Sequence, residues 1–113
     1  MTIREIIDEK LKELRDIDSL GPVKASELIV ELSSLLASIN KEVADREWVV
    51  NILKMKYLAE TGVVGQATIK TNASQEYKEW KEALAYQKAV LDNIRSLKYY
   101  LRRAENETQE GRY

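Results

Sequence analysis

The chain has 113 residues, with 18 Lys and Arg against 19 Asp and Glu and a formal net charge of −1. That length suits one domain with a modest core, and the near-neutral charge means that affinity for a polyanion has to come from local clusters of Lys and Arg. Cysteine and histidine are both absent, which excludes disulfides and thiol nucleophiles and removes the usual zinc ligands and the commonest general base near neutral pH.

No stretch offers about 18 uncharged apolar residues in a row, and the first part of the chain lacks a basic start followed by an apolar run. The expectation is a soluble cytoplasmic protein with no membrane partner. Acids and bases alternate through Glu76, Lys78, Glu79, Lys81 and Glu82, a pattern of solvated helix faces and not of a catalytic carboxylate pair. These residues predict no enzyme, no metal site and no cofactor.

A first helix is predicted over about residues 2–16, where Thr2 followed by Glu5 forms a capping box and Ile3, Ile6, Ile7, Leu11 and Leu14 share one face. Asp18-Ser19-Leu20-Gly21-Pro22 reads as a turn, with Gly21 free to take a backbone conformation denied to other residues and Pro22 suited to the first turn of a helix. A second helix over about residues 23–60 follows, because Leu28, Leu32, Leu35, Ile39, Val43, Val50, Leu53 and Tyr57 recur at steps of three, four or seven. At about 1.5 Å per residue it extends roughly 55 Å, so a hairpin partner or another subunit is needed to cover its stripe.

Residues 61–72 contain two glycines, several β-branched residues and no helical period, and read as an ordered loop or short extended segment. A loop of about a dozen residues is long for an antiparallel helix pair, which invites a functional reading. Gly62 and Gly65 are not followed by the Gly-Lys-Ser/Thr of a nucleotide-hydrolase phosphate loop, which argues against ATP or GTP. The last helix is predicted over about residues 73–106, capped by Thr71, Asn72 or Ser74, with Trp80, Ala83, Leu84, Val90, Leu91, Ile94, Leu97, Leu101 and Ala104 on its apolar face. Thr108 to Tyr113 reads as a frayed tail. The fold class is therefore all-α: one domain over residues 1–113, built as a long antiparallel helical hairpin with a short N-terminal amphipathic helix and expected to assemble into a homo-oligomer.

Two clusters could bind a nucleic acid. Arg95, Lys98, Arg102 and Arg103 occur with no acidic residue between Asp92 and Glu105, and Tyr99 and Tyr100 are interleaved with them. Cations that follow a phosphate backbone beside rings on which bases stack are the usual requirements for holding a single strand. The bland alternative is that bases near a helix C-terminus simply suit the negative end of its dipole. The second cluster comprises Arg46, Trp48, Lys54, Lys56 and Tyr57, with Lys70 on the predicted loop. Lys54 and Lys56 lie about 200° apart around a helix, so only one can face a given groove. Trp48 and Trp80 read as core or interface anchors before base platforms.

Ser74-Gln75-Glu76-Tyr77-Lys78-Glu79-Trp80, Leu91-Asp92-Asn93-Ile94-Arg95-Ser96-Leu97 and the terminal Arg102-Arg103 resemble the C-terminal half of the phage recombination mediators of the UvsY type. The helix from Val43, ending in Lys-Met-Lys-Tyr ahead of Gly62, is similar to the segment preceding that family's central loop. The resemblance spans roughly residues 40–105. It implies a ring-like oligomer that binds single-stranded DNA and helps a recombinase displace a single-strand-binding protein, in the host cytoplasm if the chain is of phage origin. It implies DNA contacts at Lys54, Lys56 and Tyr57. This chain departs from the family in being shorter and in having a central segment poorer in acids and glycines, which puts a DNA-binding role for that segment in doubt. The competing expectation is a helical adaptor whose apolar stripes bind a protein partner without nucleic acid.

Overall fold

Four helices follow one another in the computed structural model: α1 (Ile3–Glu13), α2 (Pro22–Thr61), α3 (Val64–Asn72) and α4 (Gln75–Glu110). The structure describes residues 2–15 and 20–110, apart from the side chains of 108–110, and no strand occurs among them. The protein is all-α, with two long helices and a short N-terminal one.

The helix ends follow local rules. The Oγ1 of Thr2 accepts a hydrogen bond from the Glu5 amide at 3.2 Å, which is the N-cap half of the predicted box. α1 closes at Glu13, with Leu14 as its C-cap, earlier than the predicted residue 16, which lies outside the described residues. Asp18 and Ser19 of the predicted turn also lie outside them, but Gly21 has φ +78° and Pro22 opens α2. At the other end of α2, Gly62 has φ +68° and its amide donates to the Leu58 carbonyl at 2.8 Å. This is the left-handed glycine stop that closes a helix on its last free carbonyls.

The segment 61–72 is not the loop its composition suggests. Val64–Asn72 is helix α3, and the links on either side shrink to Gly62–Val63 and Ala73–Ser74, which is ordinary spacing between packed helices. Gly62 stops α2 and Gly65 falls in the first turn of α3, so neither interrupts a helix interior. Two of the β-branched residues of α3, threonines, satisfy their hydroxyls within the helix by bonding back to the preceding turn. Thr68 Oγ1 donates to the Val64 carbonyl at 3.0 Å and Thr71 Oγ1 to that of Ala67 at 2.7 Å. A nine-residue helix is marginal alone; this one is held by burial of Ala67 and Thr71, one turn apart. Of the three predicted caps for α4, Ser74 serves, its Oγ accepting from the Tyr77 amide at 3.1 Å. α4 continues to Glu110, so residues 108–110 are helical where a frayed tail was expected, and 111–113 lie outside the described residues.

The chain forms two compact units, one of residues 1–38 and 88–113, the other of residues 39–87. In the first, Ile7 of α1, Ala25, Leu28 and Leu32 of α2, and Val90, Ile94 and Leu97 of α4 are buried. Lys10 Nζ lies 2.7 Å from Glu31 Oε2 and Lys24 Nζ 3.5 Å from Glu13 Oε2, two ion pairs that tie α1 to α2 beside that apolar contact. In the second unit the buried apolar residues are Ile39, Val43 and Val50 of α2, Ala67 of α3 and Ala83 of α4. There α2 and α4 run antiparallel, as the pairs Arg46–Glu79 and Asn40–Gln87 require, the latter a hydrogen bond of 2.8 Å.

Leu97 is fully buried and Val30 is largely exposed. Leu97→Ala is expected to lower unfolding free energy by about 2–5 kcal/mol and Val30→Ala to change it by about 0.5 kcal/mol or less, in urea titrations. The Lys10–Glu31 contact gives a pH signature. Direct hydrogen bonding to Lys10 holds the Glu31 carboxyl below its ordinary 4.5, and the same contact raises Lys10 above 10.5. The Glu31 contribution is present above 4.5 and disappears as pH falls through the lower folded value; that of Lys10 disappears as pH rises through its raised value. Urea melts in acid should therefore show Glu31→Gln converging with the unmodified protein, whereas the two differ at neutral pH.

Candidate nucleic-acid interface

The α4 cluster becomes a single surface once the helix is in place. On an α-helix Arg95, Lys98, Tyr99 and Arg102 fall within an arc of about 100°, and Arg103 widens it to about 140°. All five are exposed, Tyr99 to 67%. Val90, Ile94 and Leu97 point away from this arc into the unit's core, and Tyr100 is half-buried. The two tyrosines thus divide as their spacing requires, with Tyr99 among the cations.

Lys88 belongs to the same face and was not singled out by the sequence cluster, because Asp92 stands between it and Arg95. The signal was its seven-residue step before Arg95, two helical turns along one face. From Lys88 to Arg102 the track is about 21 Å long. Its charge is only lightly compensated: Arg95 lies 3.8 Å from Asp92 with both side chains well exposed, a weak pair in water. Neither Lys98 nor Arg102 takes part in an ion pair among the described residues.

The second predicted cluster does not form one surface. Lys54 and Lys56 are both exposed on opposite sides of α2. Tyr57 is half-buried, and the Lys70 ammonium sits 5.7 Å from its ring centroid. Lys70 is in the last turn of α3, so the unrestrained loop lysine beside free backbone amides is replaced by a helical residue in a cation–π contact. Arg46 is occupied as well. Its Nε lies 2.9 Å from Glu42 Oε1 and its Nη1 2.7 Å from Glu79 Oε2. The bond to Glu42, with that to Glu79, raises the guanidinium above its ordinary value. Arg46 therefore fastens α2 to α4. These residues lie in the unit of residues 39–87, whereas the α4 cluster lies in the other unit.

The tryptophans differ. Trp80 is half-buried, packs edge-on against Tyr77 at 5.7 Å between centroids, and carries the Lys81 ammonium 4.9 Å from its ring. Trp48 is 66% exposed and is not a core residue of the chain. Among the described residues no group of three or more acidic side chains could hold a metal ion, and no helix is long and apolar enough to cross a membrane. No protein-family model, curated protein or solved structure matches this chain.

Removing Arg46 leaves Glu42 and Glu79 facing each other without their shared cation. Arg46→Met is expected to cost about 1 kcal/mol after allowance for solvent screening, and Lys54→Met less than about 0.5 kcal/mol, by urea denaturation.

Proposed function

We propose that the protein binds single-stranded DNA through the α4 face carrying Lys88, Arg95, Lys98, Tyr99 and Arg102, and acts as an accessory factor of recombination of the mediator type. The observation that carries the DNA reading is the placement of one exposed aromatic ring among cations along one side of a helix. Phosphates meet a row of guanidinium and ammonium groups about a turn apart, while a base can stack on Tyr99. Guanidinium planes add stacking surface of their own. Sequence-tolerant binding follows, because neither phosphate contact nor stacking reads base edges.

The mediator role rests on the resemblance of residues 40–105 to the UvsY-type proteins, which also suggests a recombinase or a single-strand-binding protein as partner. With a net charge of −1 the chain has no general attraction for polyanions, so one short track binds weakly and assembled copies bind better. The protein works by holding partners and not by turnover.

The test is fluorescence anisotropy of a labelled single-stranded oligonucleotide at two salt concentrations. Binding by the unmodified protein should weaken steeply with salt. Lys98→Glu combined with Arg102→Glu should reduce affinity at least tenfold at low salt and flatten the salt dependence by about 1.4 in slope, with the helical circular dichroism unchanged. Unchanged affinity in the double variant, or no salt-sensitive binding by the unmodified protein, would overturn the reading.

A further inference from the structure

The second half of α2 is apolar on two opposite faces. Ile39, Val43 and Val50 are buried within the unit of residues 39–87. About 180° around the same helix, Ala44, Trp48, Ile52, Met55 and Ala59 form a second stripe within an arc of about 80°. Every one of these five is exposed, Trp48 to 66%, Met55 to 67% and Ile52 to 47%. A tryptophan and a methionine on one contiguous exposed helix face are residue types that interfaces favour.

The charges bordering the stripe say what covers it. Lys41 and Glu60, Asp45 and Lys56, and Glu47 and Lys54 are three pairs of opposite sign, each equidistant from the midpoint between Val50 and Asn51. The apolar residues follow nearly the same symmetry: Trp48 and Met55, and likewise Ala44 and Ala59, are equidistant from a point one residue further on, about 1.5 Å along the axis. Asp45 and Lys56 lie to one side of the stripe, and Glu47 and Lys54 to the other. A two-fold axis perpendicular to a pair of antiparallel helices keeps each side facing itself, so it brings Asp45 of one copy to Lys56 of the next and Glu47 to Lys54. All six charged residues are exposed, and none takes part in an ion pair among the described residues.

We infer that this face of α2 is a two-fold interface with a second copy of the chain, in which the helices pack antiparallel with Ile52 beside the axis and Trp48 against Met55 of the partner copy. A parallel arrangement has its two-fold axis along the helices and swaps the two sides, so it would set Glu47 beside Asp45 of the partner copy and Lys54 beside Lys56, and the repulsion selects against it. The stripe from Ala44 to Ala59 covers about 22 Å, at the small end for a specific interface, so the pairing depends on concentration. This inference stands independently of the DNA reading, which concerns α4.

The chain has no cysteine, so single cysteines report the register under mild oxidation. Sedimentation should show a reversible shift from 13.0 kDa to twice that mass, complete by roughly 100 μM if the dissociation constant is micromolar. Ile52→Cys should then cross-link to its copy, whereas Ala59→Cys, about 22 Å from its symmetry mate along the axis, should not. Lys56→Asp should weaken self-association at least tenfold, and adding Asp45→Lys should restore it. A chain that remains monomeric through that range, Ala59→Cys cross-linking as readily as Ile52→Cys, or no rescue by the second charge swap would each overturn the inference.

Discussion

The structure depends on the uninterrupted run of α2. Between Pro22 and Gly62 nothing ends the helix, so one buried stripe of aliphatic residues contributes to two successive cores, first around Leu28 and Leu32 and then around Val43 and Val50. The burial of apolar side chains along that stripe is the dominant favourable term in the fold. The glycines on either side, both at positive φ, set where the helix begins and where α3 can start.

Given that frame, the basic residues sort by what they touch. Lys10, Lys24 and Arg46 face carboxylates on a neighbouring helix, and Lys70 and Lys81 lie over aromatic rings. Each of these is engaged by the fold. The cations of α4 from Lys88 to Arg102 instead project from a helix whose opposite side is buried, and the only described ion pair among them is the long one between Arg95 and Asp92. Side chains engaged in this way would have to give up a partner before gripping a phosphate, which costs affinity. That difference favours α4 over Arg46 and Lys70 as the proposed DNA-binding surface, while Lys54 and Lys56, exposed and outside any ion pair among the described residues, lie on opposite sides of α2 and form no common track.

Much of the architecture was legible because it is written in local signals. The Thr2 cap, the Gly21-Pro22 start and the apolar period of the long helices depend on residues within a turn or two of one another. The 61–72 segment was not legible for the opposite reason. Its helix rests on tertiary burial of Ala67 and Thr71, while its composition suggests extended chain. Likewise, nothing in Arg46 alone distinguishes a phosphate ligand from an anchor; Glu79, 33 positions away, decides it. The α4 face needed only helical periodicity, which gathers Arg95, Lys98, Tyr99 and Arg102 and adds Lys88. The exposed stripe through Trp48 is also periodic, but periodicity cannot say which of two apolar faces a chain buries in itself.

On the proposed function, a single strand lies along α4 with a base on Tyr99. Photocross-linking of a bromodeoxyuridine-substituted single strand, followed by mass-spectrometric location of the modified peptide, tests it most directly. Attachment is expected at Tyr99 or its immediate neighbours on α4, abolished by competing unlabelled strand. Attachment at Trp48, or none at any residue of α4, would contradict it.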